Sequence, residues 1–526
     1  MKQQQADAEL SQCWKRPEAI VLPRFRDMGS TSMTSLLRPL LLRSTAFSMQ
    51  SAQRCTRPAW RTVASRLYPP LSQWGMLPAV KAEFEKTENG HLEAELKDEV
   101  GQCHSDVDVK DKKVSPRQFE LGEGVLWQSV GPGLFHLLPL AVRALQRLEQ
   151  EIDAEMEALG AQKISLSLLC PAAPWQASGR WSEFGDELFR LQDRKRAKLC
   201  LSPTHEEAVT TLVASKGHIP PSQLPIRLYQ VTTKFRDELR PRAGPLRARE
   251  FTMKDLYTFD VSSSSAEESY AAILASYTRI FHRLNLPVVV AEAAVGAMGG
   301  EVSHEFLLPS SLGEDELLLC EDCGRAANIE AVQSPQNSMD MCSKCGGPMH
   351  TKRAVELGHA FRLGERYSAA LGALSTTPEH SPSPLHMCCF GLGLTRILAA
   401  AVETLSENRS LVWPKVIAPF QVVVVGPKAG SREEAALGQG RAEEVYDALA
   451  NTSPALRSTL LLDDRTSLTV GRRVIDAKRL GAPATVVVAK HAIEKPGEVE
   501  IVFQQGSNSH FLSLEEAVRF LAKQMM

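Results

Sequence analysis

The densest run of chemistry-bearing side chains lies between Lys234 and Phe251. Arg236, Arg240, Arg242, Arg247 and Arg249 place five guanidinium groups within fourteen residues, beside the carboxylate of Glu238 and the ring of Phe251. On an extended strand, residues two apart share a face, so Arg236 and Glu238 point the same way, as do Arg249 and Phe251. A surface hairpin could carry these charges for solubility alone. A polyanion with a planar ring suits them better, because guanidinium forks match phosphate oxygens and an aromatic face stacks on a base.

Three smaller constellations accompany it. Pro203-Thr204-His205-Glu206-Glu207 sets a hydroxyl and a carboxylate two apart, able to grip a cationic amine, although such clusters also cap helices. Cys389-Phe390-Gly391-Leu392-Gly393-Leu394-Thr395-Arg396 puts two glycines before a helical run, where a ligand can approach closely and the arginine can meet phosphate. Close helix packing explains a glycine pair equally well. Cys320-x-x-Cys323 and Cys342-x-x-Cys345 stand 18 residues apart, each with turn residues behind it (Gly324, and Gly346-Gly347-Pro348). That spacing matches a tetrahedral zinc ribbon. Four thiolates leave no open coordination position, so the expected Zn2+ is structural; free thiols of an abandoned site are the alternative.

These groups need a frame to hold them. His136–Gln162 reads as a helix, with Ala141, Leu145, Leu148, Ile152 and Met156 recurring at spacings of four, three, four and four. Ile226–Phe235 and Arg249–Phe259 read as strands joined by a loop rich in Arg, Pro and Gly, and Ile397–Leu405 as a helix. From Pro419 onward, strand-like runs (Gln421–Val425, Thr459–Leu462, Ala484–Val488) alternate with helical ones (Glu433–Leu449, Val470–Leu480, Glu515–Lys523). That rhythm indicates a separate α/β domain.

Composition narrows the setting. A chain of 526 residues exceeds one compact core, and 43% hydrophobic with 23% charged residues excludes a fibrous repeat or wholesale disorder. A net charge of -2 gives no global attraction for nucleic acid or membrane, so any such binding must use local patches. No run approaches 18 uncharged apolar residues, so no membrane-spanning helix is expected. Eleven cysteines, an odd number in a long chain, suggest a reducing interior. From Met28 to Val80 there is no Asp or Glu, where the chain average would place about six, while Arg38, Arg43, Arg54, Arg57, Arg61 and Arg66 stand among serines and leucines. That window has the composition of a mitochondrial transit peptide, so residues 1–80 are expected to be a transit peptide, with a disordered basic tail as the alternative. Residues 1–27 fit neither picture, which makes Met28 or Met33 a candidate start. Residues 81–114 turn charged and poor in aromatics, as a solvated linker would.

Taken together, the arginine-rich strand pair, the Thr204–Glu206 segment and the Cys389–Arg396 run resemble motif 2, the threonine-x-glutamate loop and motif 3 of class II aminoacyl-tRNA synthetases. More narrowly, they are similar to prolyl-tRNA synthetases of the bacterial and mitochondrial type. Gly299-Gly300-Glu301-Val302-Ser303-His304-Glu305-Phe306, the run Glu356–Gly364 followed by Tyr367-Ser368, and Leu462-Asp463-Asp464-Arg465 match as well. The resemblance covers Ser115 to the end, in the family's order. It implies an α+β catalytic domain over 115–417, an antiparallel sheet flanked by helices, with a small zinc-ribbon-like insertion at 318–350. A C-terminal α/β anticodon-binding domain would occupy 418–526.

The implied activity is activation of L-proline with ATP to prolyl-adenylate, then transfer to the 3′ end of tRNA(Pro) in the mitochondrial matrix. By carry-over, Arg236 bridges the α-phosphate and the proline carboxylate, Glu238 accepts from the adenine amino group, and Phe251 stacks on the ring. Arg247 and Arg396 hold the outer phosphates, with Mg2+ sharing their charge, and Glu356 and His359 lie beside ATP. Arg236 and Arg396 are the expected catalytic pair. Thr204 and Glu206 receive the imino group of proline, and Phe361 and Cys389 face its ring. The helix after Leu138-Pro139 corresponds to motif 1, which places its apolar stripe at a homodimer interface. Only about 24 residues separate Glu330 from Val355, which leaves no room for the editing domain of many bacterial relatives. Arg465, Arg472, Arg473, Lys478 and Arg479 are candidates to meet the anticodon. Departures from the pattern are Cys388 in place of glycine, Ala243 in place of an aromatic, and the unusual run Leu371–Pro384. A non-catalytic synthetase-like accessory or RNA-binding protein is the alternative; such paralogues lose the phosphate-binding arginines, and both are present here.

Overall fold

A computed structural model of the chain describes residues 122–525, apart from 242–243, 333–340, 377–380, 407–409, 453 and 506–508. The tail expected over 1–80 and the linker over 81–114 lie outside the described residues, as do Arg242 and Ala243.

The chain enters through a hairpin, β1 (Trp127–Gly131) and β2 (Leu134–Leu137), and then α1 (Pro139–Ala158). Proline stands in the first turn of α1, where its missing N–H costs nothing. The helix therefore begins three residues later than its periodicity suggests, because Leu134–Leu137 is committed to the hairpin. The stripe Ala141, Leu145, Leu148, Ile152 and Met156 is buried within the chain's own core. It is not available to a second subunit, which corrects the interface expected for it.

Nine strands form the main sheet: β3 (Gln162–Lys163), β4 (Ile226–Phe235), β5 (Glu250–Asp260), β6 (Val289–Glu292), β7 (Val302–Pro309), β8 (Asp315–Cys320), β9 (Ala326–Asn328), β10 (Met349–Gly364) and β11 (His386–Gly393). Their order is β7-β6-β9-β8-β10-β11-β5-β4-β3. Pairing is antiparallel except between β3 and β4 and between β6 and β9. The first of the two sequence-predicted strands, Ile226–Phe235, is observed over those residues, and the second begins one residue later.

Strand alternation gives this sheet two different faces. Leu256, Phe390 and Leu392 join α1, α2 (Ser263–Arg283) and α3 (Leu394–Leu405) in the larger core. Tyr257, Phe361 and Cys389 point the other way, toward the helix Glu206–Ala214. Ser262 caps α2 by accepting from the backbone N–H of Ser265.

A second sheet has the order Leu460–Asp463, Val422–Val425, Ala484–Val487, Glu498–Phe503, Ser509–Ser513. The first three strands are parallel and the rest antiparallel. Val422–Val425 is buried throughout, as a central parallel strand covered on both faces must be. The helix expected over Glu433–Leu449 is two, Arg432–Leu437 and Arg441–Thr452. Gly438 and Gly440 between them take positive φ, which breaks the run.

Candidate functional site

Antiparallel pairing of β4, β5, β11 and β10 brings distant segments side by side. Lys234 faces Phe251, Tyr257 faces Cys389, and Cys389 faces Phe361. Tyr257, Cys389 and Phe361 thus stand side by side across three strands of one sheet.

Two arginines bear on a single carboxylate. Arg396 donates to Glu356 Oε2 at 2.8 Å and to the Glu356 carbonyl at 2.9 Å, while its Nε donates to the Leu246 carbonyl at 2.8 Å. Arg236 is within electrostatic reach of both Glu356 and Arg396. Burial alone would raise the Glu356 carboxyl; the His359 hydrogen bond and the charges of Arg396 and Arg236 outweigh it and hold the group below the ordinary range. The Arg236 guanidinium lies 5.3 Å from the Phe251 ring, and its Nε is buried without a partner. An arginine so placed has donors left for an anion.

The remaining nucleotide-side residues cluster here. Arg247 donates to Glu238 at 2.9 Å and to Glu314 at 2.5 Å, so the two groups expected at opposite ends of a nucleotide engage each other. His359 Nδ1 is 3.0 Å from Glu356, its Nε2 2.5 Å from Ser303 Oγ, and its ring stacks on Phe361 at 4.0 Å. Glu305, held by Asn328 at 2.8 Å, is pushed up to about 7 by burial and the neighbouring Glu356 charge. Glu305, Glu356 and His359 each offer a ligand atom within 4.8 Å of the others.

The Thr204 segment forms the other half. Thr204 Oγ1 donates to both oxygens of Glu206, at 2.9 and 2.7 Å. Glu206 also accepts from Arg180 at 3.0 Å. Arg180 was not singled out from the sequence, yet it is 0% exposed and walled by Trp175, Phe184 and Tyr367 at 5.0, 5.3 and 5.5 Å. Burial would lower its pKa, but Glu206 and Glu207 together raise it, so it stays charged. Beneath the segment, Asp255 pairs with Lys234 at 2.6 Å and accepts from Tyr257 at 2.7 Å, and Tyr257 in turn receives the His205 backbone N–H at 3.0 Å. Burial and Lys234 push His205 down to about 4, so it is neutral support, not a charge. Cys389 is buried beside Glu206, and burial with that charge raises its thiol far above the usual range. It is an inert wall.

Away from this face, Cys320 and Cys345 sulfurs are 3.4 Å apart, Cys323 and Cys342 3.6 Å, and all four lie within 4.8 Å. Tetrahedral thiolates at bonds of about 2.3 Å stand about 3.8 Å from one another, so the cluster fits zinc. Beside the second sheet, Arg473 of the helix Val470–Arg479 is buried and donates to the carbonyls of Asp463, Gly426 and Pro427, and Arg465 pairs with Asp463 and Asp476. Arg473 is thus structural, against its reading as a nucleic-acid contact.

Comparison with known proteins places the chain by family and by fold. Residues 189–405 match the tRNA synthetase class II core domain (G, H, P, S and T). A rat protein named "Probable proline--tRNA ligase, mitochondrial" is 47% identical over 390 residues, covering 74% of this chain and 81% of the relative. The proline--tRNA ligase of Aquifex aeolicus is 29% identical over an alignment of 545 residues, covering 76% of this chain and 94% of the relative. A crystal structure of the Cryptosporidium parvum prolyl-tRNA synthetase with L-proline and AMP superposes with a TM-score of 0.61 at 16% identity, covering 78% of this chain and 74% of that one.

Proposed function

The chain belongs to the proline--tRNA ligases of mitochondrial type, and from that membership we propose how its residues divide the work of activating L-proline with ATP and charging tRNA(Pro). The observation that carries the reading is the convergence of Arg236 and Arg396 on Glu356, next to the Thr204–Glu206–Cys389 cup. A chain that had abandoned catalysis would have no use for paired cations held this way.

In activation, the proline carboxylate attacks the α-phosphate and pyrophosphate leaves. Negative charge builds on the phosphate oxygens, and fixed cations aimed at it lower the barrier. Arg236 bridges the carboxylate and the α-phosphate, which orients attack and stabilises the transition state. Arg396 and Arg247 take the outer phosphates, Glu238 accepts from the adenine amino group, and Phe251 stacks on the base. Binding of the nucleotide thus replaces the Arg247–Glu238 pair. Glu356 and His359 line the ATP side. The Glu305 and Glu356 carboxylates offer the oxygen donors that a hard divalent ion takes, and magnesium held there would supply further charge neutralisation, with His359 as a hydrogen-bonding neighbour of Glu356 and not a ligand. Thr204 and Glu206 hold the cationic imino group, with Phe361 and Cys389 against the ring.

Further parts of the reading rest on the rest of the chain. Residues 115–417 serve as the catalytic domain and 418–526 bind the anticodon, where splayed loop bases are the usual target of sequence-specific reading. Zinc at Cys320, Cys323, Cys342 and Cys345 braces the 318–350 insertion. The enzyme works as a homodimer in the mitochondrial matrix, after the acid-free tail has directed import. We infer further that editing in cis is absent; the reading is supported by the short span between Glu330 and Val355 and by an Aquifex alignment longer than this chain, so that this relative carries sequence with no counterpart here. ATP–pyrophosphate exchange run separately with all twenty amino acids tests the assignment. Exchange dependent on proline is expected, and exchange driven by another amino acid alone would reject it.

A further inference from the structure

Glu206 and Glu207 are adjacent in sequence, both 1% exposed, and they share one cation. Nη1 of Arg180 donates to Glu206 Oε2 at 3.0 Å and to both oxygens of Glu207 at 3.2 Å. Nη2 points to the sulfur of Met298 at 3.1 Å, and Nε is buried with no partner. Glu207 takes one more donor, Ser178 Oγ at 2.8 Å. The other charged groups behind the cup, Lys234 and Asp255, cancel each other at 2.6 Å. One guanidinium therefore faces two carboxylates, and the bookkeeping leaves one negative charge over.

Without Glu207, Arg180 would neutralise Glu206 and leave a cup with no preference for a cation. We propose that Glu207 is a positioning residue that shares Arg180 with Glu206, leaving the two carboxylates one negative charge in excess of the guanidinium and making the cup selective for a ring with a cationic nitrogen. This rests on the reading of Thr204 and Glu206 as the imino-group site. Glu207 touches no substrate itself. It lies in the first turn of its helix, where an acid is common for its interaction with the helix dipole alone. The proposal must therefore be separated from that blander role.

The test compares proline with tetrahydrofuran-2-carboxylate, which keeps ring and carboxylate but has an ether oxygen in place of the amine. In ATP–pyrophosphate exchange by the full chain, Glu207→Gln should raise the proline KM about tenfold or more. Inhibition by the ether acid and the ATP KM should change less than about twofold. Glu207→Asp, which keeps the charge, should retain most of the preference for proline over the ether acid even if its turnover falls. Equal weakening of both ligands in Glu207→Gln would show a purely structural residue and overturn the proposal. So would an unchanged proline KM, or a Glu207→Asp chain that loses the preference as fully as Glu207→Gln. Wild-type chain that shows no exchange with proline at all defeats the underlying site assignment, and this proposal with it.

Discussion

Arg236 differs from Arg396 and Arg247 in what it lacks. Arg396 donates to three oxygens and Arg247 to two carboxylates, whereas the buried Nε of Arg236 has no partner. Burial penalises its charge, with Arg396 adding to the penalty and Glu356 opposing it. A cation kept under those conditions is stabilised best by an arriving anion. Arg236→Ala should therefore lower proline-dependent pyrophosphate exchange by about tenfold or more, equivalent to at least about 1.4 kcal/mol of transition-state stabilisation. Near-normal exchange in that variant would remove Arg236 from the chemistry. Arg236 was legible in the sequence because its proposed partners Glu238, Arg247 and Phe251 lie in the same strand–loop–strand segment. Arg180 was not legible: its box draws on Trp175, Phe184, Glu206 and Tyr367, which only the tertiary fold assembles. Arg473 was misread for the converse reason, since composition counts a cation but does not reveal that three backbone carbonyls bury it.

Three strands radiate from the cysteine cluster, and each carries something the nucleotide side needs. β8 ends at Cys320 and begins at Asp315, next to Glu314, the acceptor of Arg247. β9 ends at Asn328, which holds Glu305. β10 follows the second cysteine pair and bears Glu356, His359 and Phe361. Stripping metal with a chelator should raise hydrogen exchange in Asp315–Cys320 and Ala326–Asn328 and raise the KM for ATP. Val422–Val425 should keep its protection; stoichiometric zinc absent from the purified chain, with exchange unchanged by chelator, would count against the brace. Helix α3 supplies a second test. Burial with no charged partner pushes Glu403 up to about 7 from 4.5, and its Oε1 is unpartnered. A carboxyl raised on folding favours the folded state below its unfolded pKa and loses that contribution as pH rises to the folded value. Glu403→Gln should melt close to wild type at pH 5 and higher than wild type at pH 8; equal melting at both would mean that the carboxylate finds water. Element positions followed from periodicity where one face was buried, as in Ile226–Phe235. They failed at Gly438 and Gly440, where a helical pattern continued across residues that the backbone uses to turn.

At the scale of the molecule, the deciding feature is how little chain lies between the two halves of the nucleotide side. Asn328 and Met349 end and begin strands that both pair with β8, so the intervening segment is confined to a short excursion around the cysteines. The sequence shows this as a count: 20 residues, 329–348, lie between the two strands. On the proposed absence of editing in cis, accuracy rests on the cup. Cys389, Phe361 and Glu206 can reward a pyrrolidine ring, but alanine offers the same carboxylate and a cationic nitrogen with less bulk. Apolar contacts separate such ligands by only about 1–3 kcal/mol per methylene, a factor of roughly 10 to 200. The charge balance at Glu206 gives no help, because both amino acids bring one positive charge. Purified chain incubated with ATP, alanine and tRNA(Pro) should therefore accumulate alanyl-tRNA slowly, at a rate set by the discrimination of the cup. Preformed alanyl-tRNA(Pro) added to the enzyme should decay no faster than in buffer. Enzyme-dependent hydrolysis of that ester would mean that a second hydrolytic site exists on this chain, and the compact insertion could no longer be taken as the loss of proofreading.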